Sequence, residues 1–223
     1  ELLNVYHLTQ SPGTFDSDSL WSYELGGKST FMDNKVYVAA SAFMIKWKNI
    51  QQDVQLACTF DFEGNFGKAT SKGFELEVHA RPTAELTLGL FGGTTRATFD
   101  EDVPSINVTA GQELLGVPKW NAAINGEYRF YNSGATSAFF RAAIRWVGPS
   151  KGSFDPTNPD YERSSYHTLD ASVGADFDRW TVSLFGKNLT NDQTILQRPL
   201  VQFLTEALRQ RPLTVGLMVS HKF

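Results

Sequence analysis

Ser165, His167 and Asp170 lie close together in "SSYHTLD". They are a nucleophile, a base and an orienting acid, the set that a hydrolase triad needs. Strand alternation separates them: Ser165 and His167 share one face and Asp170 points to the other, so no catalytic residue and no enzyme activity is expected. Asp155, Asn158 and Asp160 in "DPTNPD" offer oxygens to a calcium ion, but the stretch lacks the spacing and the glycine of a calcium loop. The one cysteine, Cys58, cannot form an internal disulfide and has no Cys/His cluster around it. No metal site and no cofactor is expected. The formal net charge of -4 gives no sign of a polyanion-binding surface, so nucleic acid is not an expected partner.

The elements that must carry any other chemistry are strands. "WNAAINGEYRF" sets Trp120, Ala122, Ile124, Gly126, Tyr128 and Phe130 against Asn121, Ala123, Asn125, Glu127 and Arg129, an alternation of period two with aromatics at both ends of the apolar face. "AFFRAAIRW", "GFELEVHA" and the closing "RPLTVGLMVSHKF" repeat it. Strands are predicted at Leu20–Phe31, Lys35–Lys48, Lys68–Ala80, Ala84–Phe99, Pro118–Phe130, Ser137–Val147, Tyr166–Phe177, Trp180–Leu189 and Pro212–Phe223. No stretch of comparable length keeps a period of 3.6; "FLTEALRQ" offers a helical turn or two at most. The fold class is therefore all-β, an antiparallel up-and-down meander of about nine strands.

Short turns ("MDN", "ARPT", "YNSGATS", "DFDR") alternate along the chain with long polar segments at Asn49–Gly67, Asp100–Val117, Gly148–Ser165 and Thr190–Arg211. Short on one side and long on the other is the arrangement of an outer-membrane barrel, with its periplasmic turns and extracellular loops. One face of the strands bears charge at many centres, through Glu24, Lys28, Glu75, Glu77, Glu127, Arg129, Arg141 and Arg145. A wet lumen suits them better than a dry core, where each would cost several kcal/mol. The mean hydropathy of -0.27 fits both a barrel and a soluble protein, because only every second barrel residue is apolar. A soluble all-β carbohydrate-binding module is the competing reading. No signal-peptide pattern opens the sequence at Glu1, so an exported form is expected to be mature or truncated.

"YELGGKSTFMDNKVYVAASAFMIKWKNIQ", "KGFELEV", "GVPKW", "LFGKNLTND" and the last strand ending in Phe223, in that order and spacing, resemble the C-terminal part of the barrel of TonB-dependent outer-membrane receptors. The resemblance runs from about Ser19 to the end of the chain. It implies a barrel of about 22 strands around an N-terminal plug, of which residues 1–223 would be the C-terminal portion, with the plug and the earlier strands absent. It also implies a bacterial outer-membrane location and active import of a scarce nutrient such as siderophore-bound iron, cobalamin or an oligosaccharide. The partners implied are outer-membrane lipid, the nutrient ligand, the TonB complex through the missing plug, and the outer-membrane assembly machinery through the terminal strand. In such a barrel strand the "NLT" sequon at Asn188 is a chance match.

Ligand contact in this family would fall to the loops and the upper barrel wall. The candidates here are Phe60, Phe62, Phe154, Tyr161 and Arg163 in or near loops, with Arg141 and Arg145 on the lumen wall. Four of them have a second reading: Phe154 and Tyr161 as residues of an ordinary packed loop, and Arg141 and Arg145 as partners of lumen glutamates across the strands. Trp47 and Trp146 are expected as girdle aromatics at the lipid interface rather than as ligand platforms. Phe223 is expected to serve as the assembly signal, a role compatible with a place in the periplasmic girdle.

Overall fold

The computed structural model describes residues 14–55, 61–198 and 207–222. Their core is one nine-stranded antiparallel sheet in which each strand pairs with its neighbours in sequence order. The strands are β1 (Ser19–Phe31), β2 (Val36–Lys48), β3 (Lys68–Ala80), β4 (Leu86–Phe99), β5 (Trp120–Ser133), β6 (Thr136–Val147), β7 (Tyr166–Phe177), β8 (Trp180–Lys187) and β9 (Thr214–His221). All nine expected strands are present, most within two residues of their expected ends. β1 and β9 are the two edges.

Turn chemistry makes one end of the sheet tight. Residues 32–34 all take the left-handed conformation, with Asp33 and Asn34 among them, and Asp178 and Gly134 do the same in two-residue connections, since these residue types tolerate positive φ best. The strands flanking Gly134 run on to Ser133 and begin again at Thr136, so this turn is shorter than expected. A bulge between Arg129 and Tyr131 places one extra residue in β5. Phe130 and Tyr131 are both left about half exposed beside it.

Cross-strand register sorts the side chains into two faces. One carries Phe74, Leu90, Ile124, Phe140, Val173, Leu184 and Leu217 in paired rows. These residues are open to the surroundings, Ile124 by 44% and Leu217 by 67%. A sheet that leaves such a face uncovered needs an apolar medium against it. Along β5 the band from Trp120 to Phe130 is about 34 Å of strand, which at a tilt of about 40° spans roughly 26 Å, the height of a barrel's lipid belt.

The four long connections occupy the opposite end. They are more structured than their polar composition suggests: Gln51–Gln55 pairs with Asp61–Asn65, Ser150–Lys151 with Glu162–Arg163, and Ile195–Gln197 with Leu208–Arg209. Of "FLTEALRQ", Leu208 and Arg209 are extended, while residues 203–206 lie outside the described part of the chain. Ile195–Gln197 supplies the backbone partners that hold Leu208 and Arg209 extended.

Candidate functional site

Two structures on the polar side of the sheet are positioned to meet a ligand: the wall itself and the long connections above it. Near the tight-turn end of the wall, Glu127 accepts from Arg141 Nε at 2.6 Å and from Arg129 Nε at 2.7 Å, and Arg129 Nη1 reaches Asp176 at 3.1 Å. Ser137 and Thr181 hydroxyls donate to the two oxygens of Asp176. The register makes this network: Glu127 is paired with Arg141, and Asp176 with both Ser137 and Thr181. Phe139 lies beneath the arginines, fully buried, with the Arg141 guanidinium carbon 4.0 Å from its ring centre, a cation–π contact.

Phe139 can lie flat because its neighbour in β7 is Gly174, where a methyl group would come within 2.7 Å of the ring. Phe43 over Gly73 and Phe185 over Gly216 repeat the arrangement. Higher on the wall a groove is lined by Glu24, Lys28, Glu75, Glu77 and Asn121.

Above the wall the connections close into a roof with its own core. Ile50 and Phe66 from one, Val103, Ile106, Val108 and Leu114 from the next, and Phe154 from the third pack on Trp47, Ala69, Ala97 and Phe99 at the strand tops. Burying a side chain of this size is worth about 1.5–3 kcal/mol, so the segments hold one another in place. Trp47 is thereby corrected. Its register partner is Ala69, on the polar face, and its indole Nε1 donates to Asp18 at 2.6 Å; it supports the roof instead of meeting lipid. Trp146, paired with Ala122 and His167, does lie on the apolar face.

The expected ligand residues fall into distinct surroundings. Phe154 stacks edge-on to Phe99 with ring centres 5.6 Å apart. Lys151 Nζ stands 3.9 Å over the Tyr161 ring and pairs with Glu162 at 2.6 Å, a bond that holds the exposed Glu162 carboxyl below the usual carboxylate range. Arg163 clamps the buried Asp160 through Nε and Nη2, and Asp160 also accepts from the Arg198 backbone. Arg141 is engaged as described above. Arg145 is exposed on the wall and makes no hydrogen bond or ion pair among the described residues. Phe62 belongs to a hairpin strand. Phe60 and Phe223 lie outside the described residues, as does Cys58.

The calcium and triad readings find no support in the geometry. Asp155 and Asn158 cap their own turns, and Asp160 is taken by Arg163. Among the described residues no group of His, Cys, Asp or Glu could hold a metal. Asp170 accepts from the Asn188 backbone, away from His167.

Asn188, buried and left-handed, is instead the hub of "NLTND". Its amide donates to the Asp192 and Arg211 carbonyls and its oxygen accepts from Thr190 and Asp192. Burial alone would raise the Asp192 carboxyl, but the bonds it accepts from Thr194 and from the His167 backbone, with the His167 ring nearby, hold it below the usual range. The motif thus ties the end of β8 to the start of β9.

Residues 4–189 match the family described as "TonB dependent receptor-like, beta-barrel". The chain belongs to this family. A TonB-dependent receptor is a bacterial outer-membrane barrel, so the polar face is its lumen wall, the apolar face meets lipid, and the roof is extracellular. The chain is 27% identical over 216 residues to the metal-pseudopaline receptor CntO of Pseudomonas aeruginosa, a match that takes in 93% of this chain and 28% of that protein. It superposes on the ferric yersiniabactin uptake receptor FyuA of Yersinia pestis with a TM-score of 0.74 at 24% identity, over 91% of this chain and 29% of the other. For the closed form of the ferric-catecholate import receptor Fiu of E. coli the TM-score is 0.69 at 17% identity, over 95% and 29%. The chain therefore spans a little under a third of the length of these relatives. The soluble carbohydrate-binding module is not favoured.

Proposed function

We propose that residues 1–223 are the C-terminal portion of an outer-membrane active transporter, whose plug and earlier strands lie outside this sequence, and that the whole receptor imports a metal bound to a small chelator with energy from the TonB complex. The observation that carries the reading is the match to a metal-chelate receptor across 93% of this chain. The packed roof over a polar wall supports it, because a surface held by its own core loses less entropy on binding. In this reading Arg145 is the ligand-facing cation of the wall, free to meet an anionic chelate. Phe154, Tyr161 and Arg163 shape the roof whose outer surface, with Phe60 and Phe62, the ligand touches, and Arg141 sets the wall below. Phe223 acts at the periplasmic end as the assembly signal.

The test uses the full receptor and a panel of ferric, zinc and nickel chelates, cobalamin and neutral oligosaccharides, with binding followed by tryptophan fluorescence. An anionic metal chelate should bind tightest, and Arg145→Glu should weaken it at least tenfold at unchanged folded yield. Binding of oligosaccharides alone would reject the substrate class; an unaltered Arg145→Glu affinity would remove Arg145 from the site.

A further inference from the structure

On the lipid-facing side, the rows of β2, β3 and β4 that lie above the girdle level marked by Phe74 and Trp120 carry cations. Register places Leu25, Ala42, Phe74, Thr94 and Trp120 in one row, and Tyr23, Met44, Lys72 and Arg96 in the next. Trp21, Lys46, Thr70 and Thr98 follow, and then Lys48 with Lys68. All five cations are exposed. The outward positions of β1 and of β5 to β9 hold no lysine or arginine, so the cations of this face are gathered in one patch.

Their pairing is unfavourable as it stands. Lys72 is the direct partner of Arg96, and Lys48 of Lys68; like charges directly opposite on one face destabilise a sheet. Lys68 is relieved by Glu101 at 2.9 Å. The other acids of this rim are occupied, Asp100 by the Thr70 hydroxyl and Glu113 by Lys119. Lys46, Lys48, Lys72 and Arg96 have no anionic partner among the described residues. An anion from outside the chain would turn this repulsion into attraction, and the girdle directly below fixes its depth at the headgroup level.

We propose that this patch binds the phosphates of a multiply phosphorylated lipid in the outer leaflet, with Lys72 and Arg96 sharing one phosphate and Lys46 and Lys48 reaching another. The inference rests on the outer-membrane barrel reading. A lipid is the source that suits the position, because its acyl chains would lie against Ala42, Phe74 and Leu76 below, where a free phosphate gains nothing.

The full receptor in nanodiscs of neutral phosphatidylcholine is titrated with diphosphoryl lipid A, its dephosphorylated form, and inorganic pyrophosphate, with occupancy read by native mass spectrometry. The diphosphorylated lipid should bind well above the other two. Each cation removed should weaken it about fivefold, so Lys46→Gln with Lys72→Gln and Arg96→Gln should weaken it on the order of 100-fold, while Arg179→Gln at the periplasmic turn leaves it unchanged. The charge-keeping exchange of Lys72→Arg with Arg96→Lys should retain most of the binding; a loss as large as in the neutral variant would mean structural damage and overturn the proposal. So would equal occupancy of wild type and triple variant, or pyrophosphate binding as tight as the lipid. A wild type without heat-modifiable gel mobility would instead reject the barrel reading itself, whatever lipid it held.

Discussion

Gly174 shows how a single hydrogen atom sets the lumen wall. A Cβ there would lie 2.6 Å from the Val182 carbonyl oxygen and 2.7 Å from both Phe139 Cζ and Ser183 Cβ. Two of those neighbours are held by the sheet, so the ring would have to leave the position in which Arg141 covers it. Gly174→Ala should therefore destabilise the receptor by about 1–3 kcal/mol, the usual penalty of overpacking. Gly92→Ala should be close to neutral, because its nearest neighbour is the Asn121 oxygen at 3.7 Å. Urea midpoints of the two variants in detergent check the contrast; equal midpoints would mean that Phe139 adapts freely.

In β5 the two faces meet different solvents. After Cys58→Ser removes the native thiol, single cysteines at Ala122, Ile124 and Tyr128 should be labelled by a lipid-soluble reagent and resist an impermeant one. Cysteines at Ala123, Asn125 and Glu127 should show the reverse preference in the full receptor. Charge should follow the same parity: Ile124→Arg near the midplane is expected to cost about 2–4 kcal/mol, and Asn125→Arg in the lumen far less. If both sets label alike from the lipid phase, the assignment of faces is wrong.

At the scale of the whole molecule the sheet leaves β1 and β9 as unpaired edges. In lipid an unpaired strand edge costs several kcal/mol per backbone group, so further strands must complete the closure. That places weight on the terminal strand, whose outward Val215, Leu217 and Val219 already face the membrane. Removing Phe223 from the full receptor should lower the amount folded in the outer membrane while leaving ligand affinity per folded molecule unchanged. Quantitative gel mobility before and after heating, together with a binding isotherm, separates the two. An unchanged folded yield would reduce Phe223 to a packing role.

The sequence by itself determined the strands, their alternation and the family resemblance. Period-two patterning in "WNAAINGEYRF" or "GFELEVHA" depends only on each residue's immediate neighbours, and turn residues such as "MDN" act just as locally. Tertiary structure decided what the pattern left balanced. In "FMIKWK", Phe43, Ile45 and Trp47 alternate with Met44, Lys46 and Lys48, and either set could pass for the outward one. Pairing with Gly73 and Ala69 turned Trp47 inward and Lys46 and Lys48 outward. The roof was equally hidden. Val103, Ile106, Val108 and Leu114 sit in a segment without periodicity, and their burial comes from Ile50, Phe66 and Phe99 arriving from other connections. The same holds for Lys72 against Arg96: a repulsion between residues on different strands exists only once the register brings them opposite, because a charge interacts through space and not along the chain.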